Sequence, residues 1–195
     1  MKDTLSKKRN ILIIALLVAT VGGLAWVMLQ SGEPVYRGKS ISRWINDVGV
    51  FANPPAPALP LLDSNAVPFL VEALDRQDGQ LRRVYLRLWN NLPSRVQNRL
   101  PQPVPGWAIR ANAAALLGTI GTNAVSAIPA LIRALKTDNV DLVRAFSAKS
   151  LAQIARRDKV VMEALAEAAV KDTEASVRFE ALNALKEFNI ESPAM

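Results

Sequence analysis

The sequence predicts an all-α protein, a short row of about four stacked helix pairs behind one N-terminal transmembrane helix. Three observations predict it. Apolar residues recur at helical spacing, and the same pattern returns 34 residues further on. Nineteen consecutive residues near the N-terminus carry no charge. Half of the 195 residues are hydrophobic but only 6% are aromatic. The apolar surplus therefore lies in Ala, Leu, Ile and Val, which suits packed helices better than sheets.

The uncharged stretch runs from Ile11 to Leu29, bounded by Lys7-Lys8-Arg9 and by Gln30-Ser31-Gly32-Glu33. As a helix rising about 1.5 Å per residue it would reach roughly 29 Å, close to the hydrocarbon thickness of a bilayer. Trp26 stands where an interfacial ring is favoured. A cleaved leader is the rival reading, but Trp26-Val27-Met28-Leu29-Gln30 offers no small-residue cleavage site. Basic residues crowd the N-terminal side, which places residues 1–10 in the cytoplasm and the rest outside it, in a periplasm-like compartment. The expected order is a basic tail at 1–10, an anchor at 11–30, a short helix and linker at 31–63, a repeat domain at 64–189 and a tail at 190–195.

Beyond the anchor, Ser40 to Val48 reads as a short helix capped by Ser40, with Ile41, Trp44, Ile45 and Val48 on one face. Trp44 is expected to cap the first repeat. Pro54, Pro55, Pro57 and Pro60 then bar helix between Phe51 and Leu62 and favour an extended connector.

The repeats rest on register. Ile128, Leu131, Ile132 and Leu135 occupy one helical face; a shift of 34 gives Met162, Leu165, Ala166 and Ala169, and a shift back of 61 gives Val67, Leu70, Val71 and Leu74. In the second helix, Val143, Ser147, Ala148, Leu151 and Ile154 correspond to Val177, Ala181, Leu182, Leu185 and Phe188 on one side. On the other they correspond to Ile109, Ala113, Ala114, Leu117 and Ile120. An earlier copy is read at Leu81, Tyr85, Leu86, Trp89 and Leu92. Helices patterned this way bury a stripe against their neighbours. Between Leu92 and Trp107, Pro93, Pro101, Pro103, Pro105 and Gly106 forbid a full helix, so that unit is irregular, with Arg95, Arg99 and Trp107 on a bulging loop.

Ala127-Ile-Pro-Ala-Leu-Ile-Arg-Ala-Leu135, Asp138 in the turn and Val143-Arg144-Ala145 resemble a HEAT repeat. Val67-Pro-Phe-Leu-Val-Glu-Ala-Leu74 and Asp172 with Val177-Arg178 echo the plan over about residues 64–189. The period equals that of tetratricopeptide repeats, but the early Pro, the turn Asp and the Val-Arg pair favour a short HEAT-like form. Tyr36-Arg-Gly-Lys-Ser-Ile-Ser-Arg-Trp44 with Leu92-Pro and Leu100-Pro-Gln-Pro-Val-Pro105 resembles uncharacterised bacterial membrane-anchored HEAT-repeat proteins. The resemblance implies a fold and says little of function.

Chemistry is constrained by absences. The chain holds no Cys and no His, which removes thiolate nucleophiles, disulfides, imidazole bases and the usual zinc ligands. No catalytic residue, metal site or cofactor is expected. The net charge of +7 sits mostly in the N-terminal tail and in residues 76–110, where seven Arg face one Asp. Arg82, Arg110, Arg144 and Arg178 fall at matching repeat positions. They read either as a ladder paired with turn acids such as Asp138 and Asp172 or as a basic stripe for an anionic partner. Arg82, Arg87, Arg95, Arg99, Arg110 and Trp107 are the candidate partner-binding residues. Glu163 and Glu167 read as a solvated face rather than an acid–base pair. Gly118 and Gly121 read as a helix close rather than a phosphate loop.

The expectation is a non-catalytic, membrane-tethered scaffold that binds an unidentified protein, with nucleic acid disfavoured. The rivals are a chaperone-like protein of the type that resembles bilin lyases, and a nucleic-acid-binding array using the Arg-rich segment.

Overall fold

The computed structural model describes residues 35–36, 38–40, 43–44, 63–77, 79–100, 103–155 and 158–190. The expected anchor, the basic tail, the Pro-rich connector and the residues after Ile190 lie outside them.

Val35–Tyr36 (β1) and Lys39–Ser40 (β2) pair as a minimal antiparallel hairpin, with Gly38 at φ 76 in its turn. Ser40 is thus a strand residue, not the cap expected of a helix over 40–48. Arg43 and Trp44 are helical; the remainder of that segment lies outside the described residues. Trp44 is buried in the main apolar cluster, and the Lys39 ammonium sits 5.0 Å from its ring centroid.

The described helices are Val67–Leu74 (α1), Gln80–Trp89 (α2), Ser94–Gln97 (α3), Gly106–Ile120 (α4), Ile128–Thr137 (α5), Asp141–Ile154 (α6), Lys159–Lys171 (α7) and Ala175–Ile190 (α8). Pro68 and Pro129 stand in the first turns of α1 and α5, where a missing N–H breaks no helical bond. Asp158 caps α7, its carboxylate accepting from the Val160 and Val161 amides at 2.8 and 3.3 Å. Gly121 ends α4 at φ 66.

The helices pack in two layers. α1, α5 and α7 form one, and α4, α6 and α8 the other. Each layer-one helix leans on a layer-two helix: α1 on α4, α5 on α6, α7 on α8. The described residues therefore hold three stacked pairs rather than about four. The proposed copy at Leu81 to Leu92 is not one of them. α2 and α3 contribute no buried side chain among those described, and Tyr85, Leu86, Trp89 and Leu92 are only half-buried. α1 takes α4 as its partner instead, and α2 and α3 are an insertion within that first pair. The backbone shows the splice. The Arg144 and Arg178 guanidiniums each donate to a carbonyl six residues earlier, at Asp138 and Asp172, whereas that of Arg110 donates to Arg76. Arg76 occupies the turn position that the insertion has separated from α4.

The period of 34 holds, but the buried stripe of α7 lies one residue earlier than expected. Val161, Ala164, Leu165 and Ala168 are buried, matching Ala127, Ala130, Leu131 and Ala134 at 34, while Met162 and Ala166 are exposed. In α8, Val177, Ala181 and Phe188 are buried as expected, but Leu182 is exposed.

Gly118 does not close a helix. It lies inside α4 where a Cβ would come 2.6 Å from Ser150 Oγ, so its lack of a side chain lets α4 and α6 approach. Ser150 Oγ, fully buried, donates to the Ala114 carbonyl at 2.7 Å across the same contact. By length and hydropathy alone, Gly106–Thr137 could cross a membrane. Gly121 breaks that run into α4 and α5, and both helices pack into the stacked core.

Candidate functional site

The turns from α5 to α6 and from α7 to α8 lie along one edge of the stack, and both are built around an Asp. Asp138 Oδ1 accepts the Val140 amide at 2.9 Å and Asp172 Oδ1 accepts the Glu174 amide at 2.9 Å, turns that suit the short Asp side chain. The same carboxylates receive an Arg from the preceding repeat. Arg110 grips Asp138 through Nε and Nη2 at 2.7 and 3.1 Å. Arg144 grips Asp172 at 2.8 and 2.9 Å. These side chains are only 11% and 9% exposed in the first pair and 12% and 8% in the second. The forks are bidentate and shielded, the strongest form of ion pair available here. The hydrogen bond to Asp172 raises the affinity of the Arg144 guanidinium for its proton. Burial pushes the Asp172 carboxyl up, but the Arg144 and Glu174 hydrogen bonds outweigh it and hold the group below the usual range.

Arg110 and Arg144 therefore hold repeat to repeat, and Arg178 repeats the bond to its own turn. Arg82 departs from the ladder, its guanidinium donating to the Val104 carbonyl, with Nε at 3.1 Å, and so tying the insertion to the start of α4.

A groove of about 630 Å³ opens beside this edge, lined by Asp75, Arg83, Trp107, Arg110, Arg133 and Asp138 among others. Arg133 Nη2 bridges to both Asp75 oxygens at 2.8 and 2.7 Å, in a pair whose side chains are 53% exposed on each side. Of the six candidate residues, the structure brings Trp107 and Arg110 to the groove. Trp107 lies in the first turn of α4 rather than on a loop, and Arg110 is largely consumed by Asp138. Arg87, Arg95 and Arg99 are exposed on the insertion and do not line the groove. Arg83 does, exposed, its guanidinium without a hydrogen-bond or ion-pair partner among the described residues. Arg83 has no counterpart in the 34-residue register, in which its neighbour Arg82 stands at the ladder position, and helical spacing puts the two on different faces.

Elsewhere Glu167 is exposed and pairs with Lys136 at 2.8 Å and Lys171 at 3.3 Å, which hold its carboxyl below the usual range. Glu163 approaches only Lys159, at 3.9 Å. Among the described residues no cluster of three acidic side chains could hold a metal ion.

No curated protein matches this sequence. Among solved structures, the complex of CpcE and CpcF of phycocyanin lyase from Nostoc sp. PCC7120 is similar at 20% identity. That likeness spans 66% of this chain and 81% of that one, with a TM-score of 0.41. Residues 104–189 match the family model of HEAT repeats. That match begins where the insertion ends and takes in α4 to α8, the paired helices that carry the turn ladder.

Proposed function

We propose that the protein is a non-catalytic scaffold, tethered to a membrane by residues 11–29, which binds a protein partner along the turn edge of its repeats. The observation that carries this is the groove itself. Arg110 and Arg144 are spent on neighbouring turns, yet Arg83 and Trp107 remain on open walls, a cation and an aromatic of the kinds that anchor protein interfaces. Arg87, Arg95 and Arg99 are exposed on the insertion and, with Arg83, favour an acidic polypeptide. The chain has no Cys and no His, which removes thiolate nucleophiles and imidazole bases from its chemistry.

Affinity capture with the detergent-solubilised full chain tests the reading. A partner should be recovered by the wild type and lost with Arg83→Glu or Trp107→Ala; recovery of nothing above a mock capture refutes it. Protease added to intact cells should digest the repeats if they lie outside the cytoplasm, as the basic N-terminal flank favours.

A further inference from the structure

The repeats carry a second surface, distant in kind from the groove. Shifted by 34 residues, the face that α5 and α6 turn towards α7 and α8 maps onto a face of α7 and α8 that no described helix covers. In the covered version, Ala145 and Ala148 of α6 are buried, and Ile128 and Ile132 of α5 pack in the core. In the uncovered version their counterparts Phe179, Leu182, Met162 and Ala166 are exposed, Phe179 at 61%.

The ladder stops at the same place. The Arg178 guanidinium makes the bonds to its own turn, through Nη1 to the carbonyls of Asp172 at 2.9 Å and Thr173 at 2.8 Å. Its Nε and Nη2, the atoms with which Arg110 and Arg144 grip the next turn's Asp, find no carboxylate among the described residues.

We infer that this face seats a helix pair of a second polypeptide, one presenting small apolar side chains and an acidic residue in its inter-helix turn. The partner would complete for Arg178 the pair that Asp172 completes for Arg144. Charge favours another protein over a second copy of this chain stacked head to tail, because the leading turn of this chain offers Arg76 where the acid belongs. The inference rests on the scaffold reading and assigns it a second, separate contact.

A photo-crosslinker, p-benzoylphenylalanine, placed at position 179 of the full chain and irradiated in its native host tests this, with the same group at exposed Lys149 as the control. The expected result is an adduct with another protein whose crosslinked peptide lies in an antiparallel helix pair with Asp or Glu in the turn. Arg178→Glu and Leu182→Asp should each abolish it, and changing the partner's turn acid to Lys should restore it against Arg178→Glu. Circular dichroism equal to wild type shows that both variants fold. An adduct only with this chain, an adduct only with lipid, a yield no higher than at Lys149, or an adduct indifferent to Arg178→Glu overturns the inference. If groove-dependent capture still recovers a partner, the scaffold reading stands while this one falls.

Discussion

Arg144→Ala is the most informative single change. It removes three hydrogen bonds: Nε and Nη2 to Asp172 at 2.8 and 2.9 Å, and Nη1 to the Asp138 carbonyl at 2.9 Å. The Asp172 side chain left behind is 8% exposed and keeps the Glu174 amide. Stripping one partner from a buried pair costs roughly 3–5 kcal/mol, because the other charge stays buried without compensation. The remaining amide and the sliver of solvent place this case at the low end, about 3 kcal/mol. For a chain of this size that lowers Tm by roughly 6–12 °C. Arg133→Ala is the matched comparison. It also breaks a two-oxygen contact, but one 53% exposed on both sides, where water replaces the lost partner and the cost is below about 1 kcal/mol. Thermal unfolding of the detergent-solubilised full chain, followed by far-ultraviolet circular dichroism, reads both. Equal shifts for the two variants would refute the argument that shielding makes the ladder a structural clamp. The double variant Arg144→Met with Asp172→Leu should recover much of the loss, since it leaves no buried charge unpaired.

Acid should erase the same interaction. The folded-state pKa of Asp172 lies below its unfolded value, so the stability it contributes is complete above the usual carboxylate range and is lost as pH falls through the folded value. The gap in Tm between wild type and Arg144→Ala should therefore narrow as pH drops below about 4; a gap that stays constant would contradict it. Gly118→Val should destabilise by about 1–3 kcal/mol in urea unfolding, because its Cβ meets Ser150 Oγ at 2.6 Å and Ser150 is held by its bond to Ala114. Leu165→Ala, at a fully buried position, should cost about 2–5 kcal/mol by the same measurement. Replacing residues 79–102 by a short turn should leave Tm within a few degrees of wild type and helicity in the other pairs intact, since α2 and α3 bury no described side chain; collapse of the fold would show the insertion to be a true repeat.

The sequence by itself determined that the chain makes amphipathic helices in pairs, because 3.6-residue spacing is a local property and a recurrence of 34 is visible without knowing what touches what. It also marked the turn aspartates and the arginines that meet them, as both recur at a fixed offset. Tertiary structure alone decided which helices pair. α1 reaches α4 across residues 75–105, a non-local choice that periodicity cannot see, so the nearer α2 carries the pattern of a repeat helix without pairing as one. It also decided which apolar residues are core. Met162 and Leu182 carry the same helical pattern as their buried counterparts one repeat earlier, yet they stand exposed because no described helix lies on their side. A side chain's burial depends on its neighbour, and the spacing of one helix holds no record of whether that neighbour is there.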